Sequence, residues 1–179
     1  MIGKLHHLAL QLYRRLPVTA RRQVVRTIAP TYTVGSMVII ERSDGAMLLA
    51  RLSYRNSWGV PGGLLKRGET PADAAVREVR EEVGIDIEVV GDPAVVVDAE
   101  AQRVDVIFKG RPTATGAEQV PVPSSPEIVE VAWFPPDHLP DLQFETSGAL
   151  MALARRAVVA DGRRLVPIEG QGQLSSAAE

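Results

Sequence analysis

Apolar residues recur along this chain at two periods, and the switches between them mark its elements. Leu5, Leu8, Leu12 and Leu16 are spaced by three and four, as on one face of a helix, and Pro17 closes that segment. Val24, Val25 and Ile28 predict a second short helix ending before Pro30. Residues 31–40 are rich in β-branched side chains and predict a strand, Ser43-Asp44-Gly45 is a hairpin signal, and 47–51 is the returning strand. Residues 52–69 are punctuated by Gly and Pro and predict a loop. The next helix has a marked start and stop. Thr70 suits the N-cap, Pro71 the first helical position and Asp73 a capping-box-like position, while Gly84 suits a left-handed stop after Val83. Further on, 86–90, 94–98, 103–109 and 128–134 predict strands, 110–126 a loop, 135–139 one helical turn and 147–160 a closing helix. The tail from Gly170 is small and polar and predicts fraying.

Charge divides the chain in two. Residues 1–40 hold six Lys/Arg (Lys4, Arg14, Arg15, Arg21, Arg22, Arg26) and no acid. Against a net charge of −2, the remainder therefore carries −8. The expected organisation is a basic amphipathic extension over 1–30, one domain over 31–165 and a flexible tail over 166–179. Three partners compete for the extension: the domain itself or a second copy in a homodimer, an anionic membrane surface, and nucleic acid. Nucleic acid is the weakest of them, with no aromatic interleaving and no binding motif. The chain has no Cys and three His, so a bound metal would be held by oxygens, which favours Mg²⁺ or Mn²⁺. His6, His7 and His138 have no supporting cluster and receive no role. No apolar run approaches membrane-spanning length and no secretory leader is evident, so the expected location is cytoplasmic.

The candidate chemistry sits between Gly63 and Ile85. At about 100° per residue, Glu81 and Glu82 lie about 60° and 40° to either side of Glu78, so three carboxylates share one sector. Ala72, Val76, Val79 and Val83 form an adjoining apolar stripe. Clustered like charges weaken a bare helix, and a divalent cation among them reverses that sign. Gly62 and Gly63 permit a tight turn whose carbonyl can join a metal shell and whose backbone can approach a phosphate.

This segment resembles the Nudix hydrolase box, G-x5-E-x7-R-E-U-x-E-E-x-G-U with U aliphatic. Gly63, Glu69, Arg77, Glu78, Val79, Glu81, Glu82, Gly84 and Ile85 match every specified position. The lead-in from Trp58 to Gly63, and the strand from Glu130 to Phe134 with His138-Leu139-Pro140 after it, are also similar to that family. The resemblance implies an α/β fold, an α/β/α sandwich on a mixed sheet. It implies hydrolysis of the diphosphate linkage of a nucleoside diphosphate joined to another moiety, by metal-activated water. Glu78, Glu81, Glu82 and the Gly63 carbonyl would hold the metal, and Glu69 would pair structurally with Arg77. A distal carboxylate, ligand or base, would come from Glu127, with Glu118 the competitor. Arg51, Arg55, Lys66 and Arg103 border strand ends or the Gly loop and are candidate phosphate contacts, each balanced against an ordinary solvated charge. Trp58 either stacks on a base or packs beside the loop. Two other functions stay open: a non-catalytic nucleotide-binding sensor of the same fold, which the complete glutamate set argues against, and a peripheral membrane diphosphatase.

Overall fold

The computed structural model describes residues 13–160 together with His7 and Gln11. Strand β1 (Thr33–Glu41) is its centre. On one side β1 pairs in parallel with β6 (Arg103–Pro112), from Thr33 opposite Arg103 to Ile40 opposite Gly110. On the other side it pairs antiparallel with β2 (Met47–Leu52) at its far end and with β4 (Gly62–Leu64) at its near end. The short β3 (Trp58–Gly59) and β7 (Ile128–Phe134) pair with β2, and β5 (Ile87–Asp98) lies antiparallel to β6 at the edge. The result is a seven-stranded mixed sheet.

Successive side chains on a strand face opposite ways, so β1 supplies both faces of the sheet. Val38 and Ile40 join Leu48, Ala50 and Phe108 beneath α2 (Pro71–Val83). Met37 and Ile39 join Met47, Leu49 and Ile107 beneath α4 (Phe144–Ala160). This is the expected α/β/α sandwich. Burial on both faces explains why 38–40 reads as a continuous apolar run rather than an alternation. Among the described residues the chain also forms helices α1 (Val18–Ile28) and the short α3 (Ala114–Glu118).

Helix α2 has the predicted limits. Thr70 Oγ1 accepts from the Asp73 N–H at 3.2 Å, and Gly84 ends the helix at φ +73°. Its buried side differs from the predicted stripe. Ala74 and Ala75 are fully buried with Val79 and Val83, while Ala72 and Val76 are only partly covered. The buried arc thus reaches round both sides of Glu78.

Other expectations are corrected. The 52–69 loop contains β3 and β4, elements of two and three residues that exist through their pairing partners. Strands 86–90 and 94–98 are one strand with a register shift between Val90 and Ala94, carried across it by the unbroken β6. The 110–126 loop holds α3, capped by the Thr113 hydroxyl, which accepts from the Gly116 N–H. Residues 135–139 form a turn closed by His138 N–H donating to Pro135 O, and Pro140 blocks further winding. The closing helix begins at Phe144, not Ser147. Trp133 and Phe134 are both half-buried, one against each core layer. The stripe residues Leu5, Leu8 and Leu12 and the 166–179 tail lie outside the described residues.

Candidate active site

The Gly-rich segment reaches the site through β1. The Val38 N–H donates to Pro61 O, β4 pairs with Gly35–Met37, and the buried Ser36 hydroxyl donates to Pro71 O at 2.7 Å. One strand therefore holds both the glycines and the start of α2. A Cβ at Gly63 would crowd the Glu78 carboxylate, which Arg77 holds in place. The Gly62 N–H donates to Glu82 Oε2 at 3.1 Å.

Arg77 organises the acids around it. Its Nε and Nη2 donate to the two oxygens of Glu69 at 2.6 and 2.9 Å, and its Nη1 donates to Glu78 at 2.7 Å and Glu81 at 3.0 Å. Arg77 and the Lys66 N–H hold the Glu69 carboxyl down at about 2. The three helix glutamates are not equivalent. Glu78 is 15% exposed and Glu81 is 51% exposed. Glu81 also pairs with Lys66 Nζ at 3.1 Å, and Lys66 and Arg77 hold its carboxyl below the usual range. Glu82 points into the molecule, where burial pushes its carboxyl up to about 7. The Gly62 N–H opposes that shift, and the charges of Glu78, Glu127 and Glu81 add to it. Among the described residues, no three carboxylate or imidazole groups converge as a ready-made metal cage. The donor set nevertheless fits a hard divalent cation, because a partly buried carboxylate surrounded by acids is the environment such a charge relieves.

Glu82 opens into a cleft of about 170 Å³ together with Glu127, Gly62, Arg55 and Arg103. Of the two candidate distal carboxylates, Glu127 lines this cleft, while Glu118 sits on α3 and does not. Of the candidate phosphate contacts, Arg55 and Arg103 line it. Arg51 instead pairs with Glu130 across β2 and β7, and Lys66 lies with Glu81 outside the cleft. Trp58 does not line the cleft; it packs edge-on against Phe134 with ring centroids 4.8 Å apart. Tyr54, Gln143 and Glu145 also line the cleft, and the sequence reading missed them. Gln143 is held by its N–H to Trp58 O, and Glu145 pairs with Arg55 at 3.1 Å. The start of α4 is far from the box in sequence, and only the α4 helical pattern could have pointed to it.

A family model described as the NUDIX domain matches residues 31–153. A MutT-like protein from Streptomyces ambofaciens is 30% identical over 146 residues, covering 79% of this chain and 92% of that protein. An 8-oxo-dGDP phosphatase from Homo sapiens is 32% identical over 108 residues, 58% of this chain and 32% of that protein. The solved structure of a NUDIX hydrolase from Nitrosomonas europaea aligns with a TM-score of 0.61 at 21% identity, over 74% of each chain. The complete box, the sandwich that carries it and a family match spanning most of the chain lead to one conclusion: this chain belongs to the Nudix hydrolase family and is a pyrophosphohydrolase of nucleoside diphosphates linked to another moiety.

Proposed function

We infer that the inner pair Glu78 and Glu82, with the Gly63 carbonyl, holds Mg²⁺ or Mn²⁺ at the head of the cleft, with Glu81 in support. The observation that carries this reading is the setting of Glu82, partly buried against the Gly62 N–H in a cleft it shares with Glu127. When bound, the cation neutralises the substrate's phosphates and lowers the pKa of water. Glu127, which lines the same cleft as Glu82, takes a proton from the attacking water. Arg77 keeps Glu78 and Glu81 oriented and leaves the chemistry to them. Arg55 and Arg103 face the diphosphate, and each is held in place by a carboxylate, Glu145 and Asp105 respectively. The 8-oxo-dGDP phosphatase among the relatives makes an oxidised nucleoside diphosphate the first substrate to try.

The test is Glu82→Gln. Turnover should fall roughly a hundredfold or more, the scale of losing an essential acid or base, with the circular dichroism unchanged. Near-normal turnover would remove Glu82 from the site. Tight nucleotide binding by the unmodified protein without product release, under any divalent metal, would favour the sensor reading.

A second reading concerns place of action. Helix α1 buries none of its residues and presents Val18, Val25 and Ile28 beside Arg22 and Arg26. That arrangement supports contact with a second copy or with an anionic membrane surface.

A further inference from the structure

Beyond Arg103 and Glu145 the cleft adjoins a second cavity of about 320 Å³, and Met37, Arg103 and Glu145 line both. The first cleft alone is smaller than the roughly 300–1,000 Å³ spanned by small-molecule sites. Only with its neighbour does it reach the size a nucleotide substrate needs.

The second cavity lies between α4 and the sheet. Gly148 of α4 lines it, and a Cβ added there would enter open space, with nothing within 4 Å. Its floor is apolar, formed by Met37, Val96, Ile107 and Ala149. Phe144, 89% exposed, stands at its edge. An aromatic ring so exposed at the start of a helix contributes little to the core, and its face is free to stack on a flat ligand. The polar lining argues against a phosphate. Among the described residues, Asp98, Asp105 and Glu145 outnumber the single cation Arg103, which is already paired with Asp105 at 2.8 Å. An uncharged flat ring with N–H donors suits an apolar floor, an aromatic edge and acidic acceptors.

We propose that this cavity is the nucleobase subsite, with the base stacked on Phe144 and the diphosphate running past Arg103 and Arg55 toward Glu82. The proposal rests on the hydrolase reading above and names the part of the substrate that the Nudix box does not report. It makes Phe144 and Gly148 determinants of specificity.

The test is equilibrium binding of AMP, GMP, CMP and UMP, and of ribose 5-phosphate, which lacks a base, to the full chain with Mg²⁺. Phe144→Ala should weaken nucleotide binding about tenfold, within the range of one lost base–aromatic stack, and leave ribose 5-phosphate unchanged. Gly148→Leu, which fills the cavity from an open position on the helix, should do the same with an unaltered Tm. Phe144→Tyr, which keeps the ring, should bind as the unmodified chain does. Unchanged nucleotide binding in both Phe144→Ala and Gly148→Leu overturns the subsite, as does equal weakening of ribose 5-phosphate. Hydrolysis measured alongside separates the two claims. Normal KM values in both variants remove the subsite and leave the hydrolase standing, whereas undiminished turnover by Glu82→Gln strikes the carboxylate assignment and not the subsite.

Discussion

Arg77 shows how one residue can set the roles of three others. Its planar fork matches the Glu69 carboxylate in a two-point contact, and the remaining nitrogen reaches Glu78 and Glu81. Glu69, 14% exposed in its side chain, thereby ties the loop after β4 to α2. Its folded-state carboxyl is held at about 2, below its ordinary 4.5. A depressed acid stabilises the fold above its unfolded pKa, and that contribution is lost as pH falls through 4.5 toward 2. Thermal unfolding of the unmodified chain and of Glu69→Gln, followed from pH 6 to pH 2.5, should therefore differ at the neutral end and converge at the acid end. A gap that stays constant across the range would show that the pair contributes packing and not charge.

At the scale of elements, legibility followed the range of the forces that make each one. The limits of α2 could be read from sequence because each end is a local matter: a hydroxyl accepting from an N–H three residues on, a proline that needs no donor, a glycine in left-handed backbone. Strands β3 and β4 could not, since neither is long enough to alternate and both are made by partners elsewhere. The same divide runs through the site. The three glutamates could be read as one sector from spacing, whereas their ranking, Glu82 and Glu78 ahead of Glu81, came only with the family resemblance. Separating half-buried Glu82 from exposed Glu81 required knowing that Ala74 and Ala75 also face the core, and alanine gives almost no apolar signal. Gln143 and Glu145 enter the cleft through chain topology alone. The cap on α2 yields a direct prediction. Thr70→Ala removes the acceptor for the Asp73 N–H and should cost about 1 kcal/mol. In a chain of this size that lowers Tm by roughly 2–4 °C, with turnover per folded molecule retained because Thr70 does not line the cleft. An unchanged Tm would mean that the Ser36 bond to Pro71 fixes the helix start unaided.

For the molecule as a whole, the contrast between a basic first segment and an acidic body is matched by a contrast in packing. Residues 31–153 carry the family match and both core layers, whereas α1 has no buried residue. Val25 is 45% exposed and Ile28 78% exposed, on a helix whose charged residues are all arginine. If the domain covered this face, polar substitution there would destabilise it; on an uncovered face such changes stay within about 0.5 kcal/mol. Val25→Ser with Ile28→Ser should therefore leave Tm and turnover on a freely diffusing substrate unchanged, while reducing self-association in light scattering or co-sedimentation with anionic vesicles. Loss of the first would identify a second copy as the partner, and loss of the second a membrane surface. A clear fall in Tm for the isolated protein would instead show that α1 docks on its own domain in solution, and its apolar face would then belong to the core.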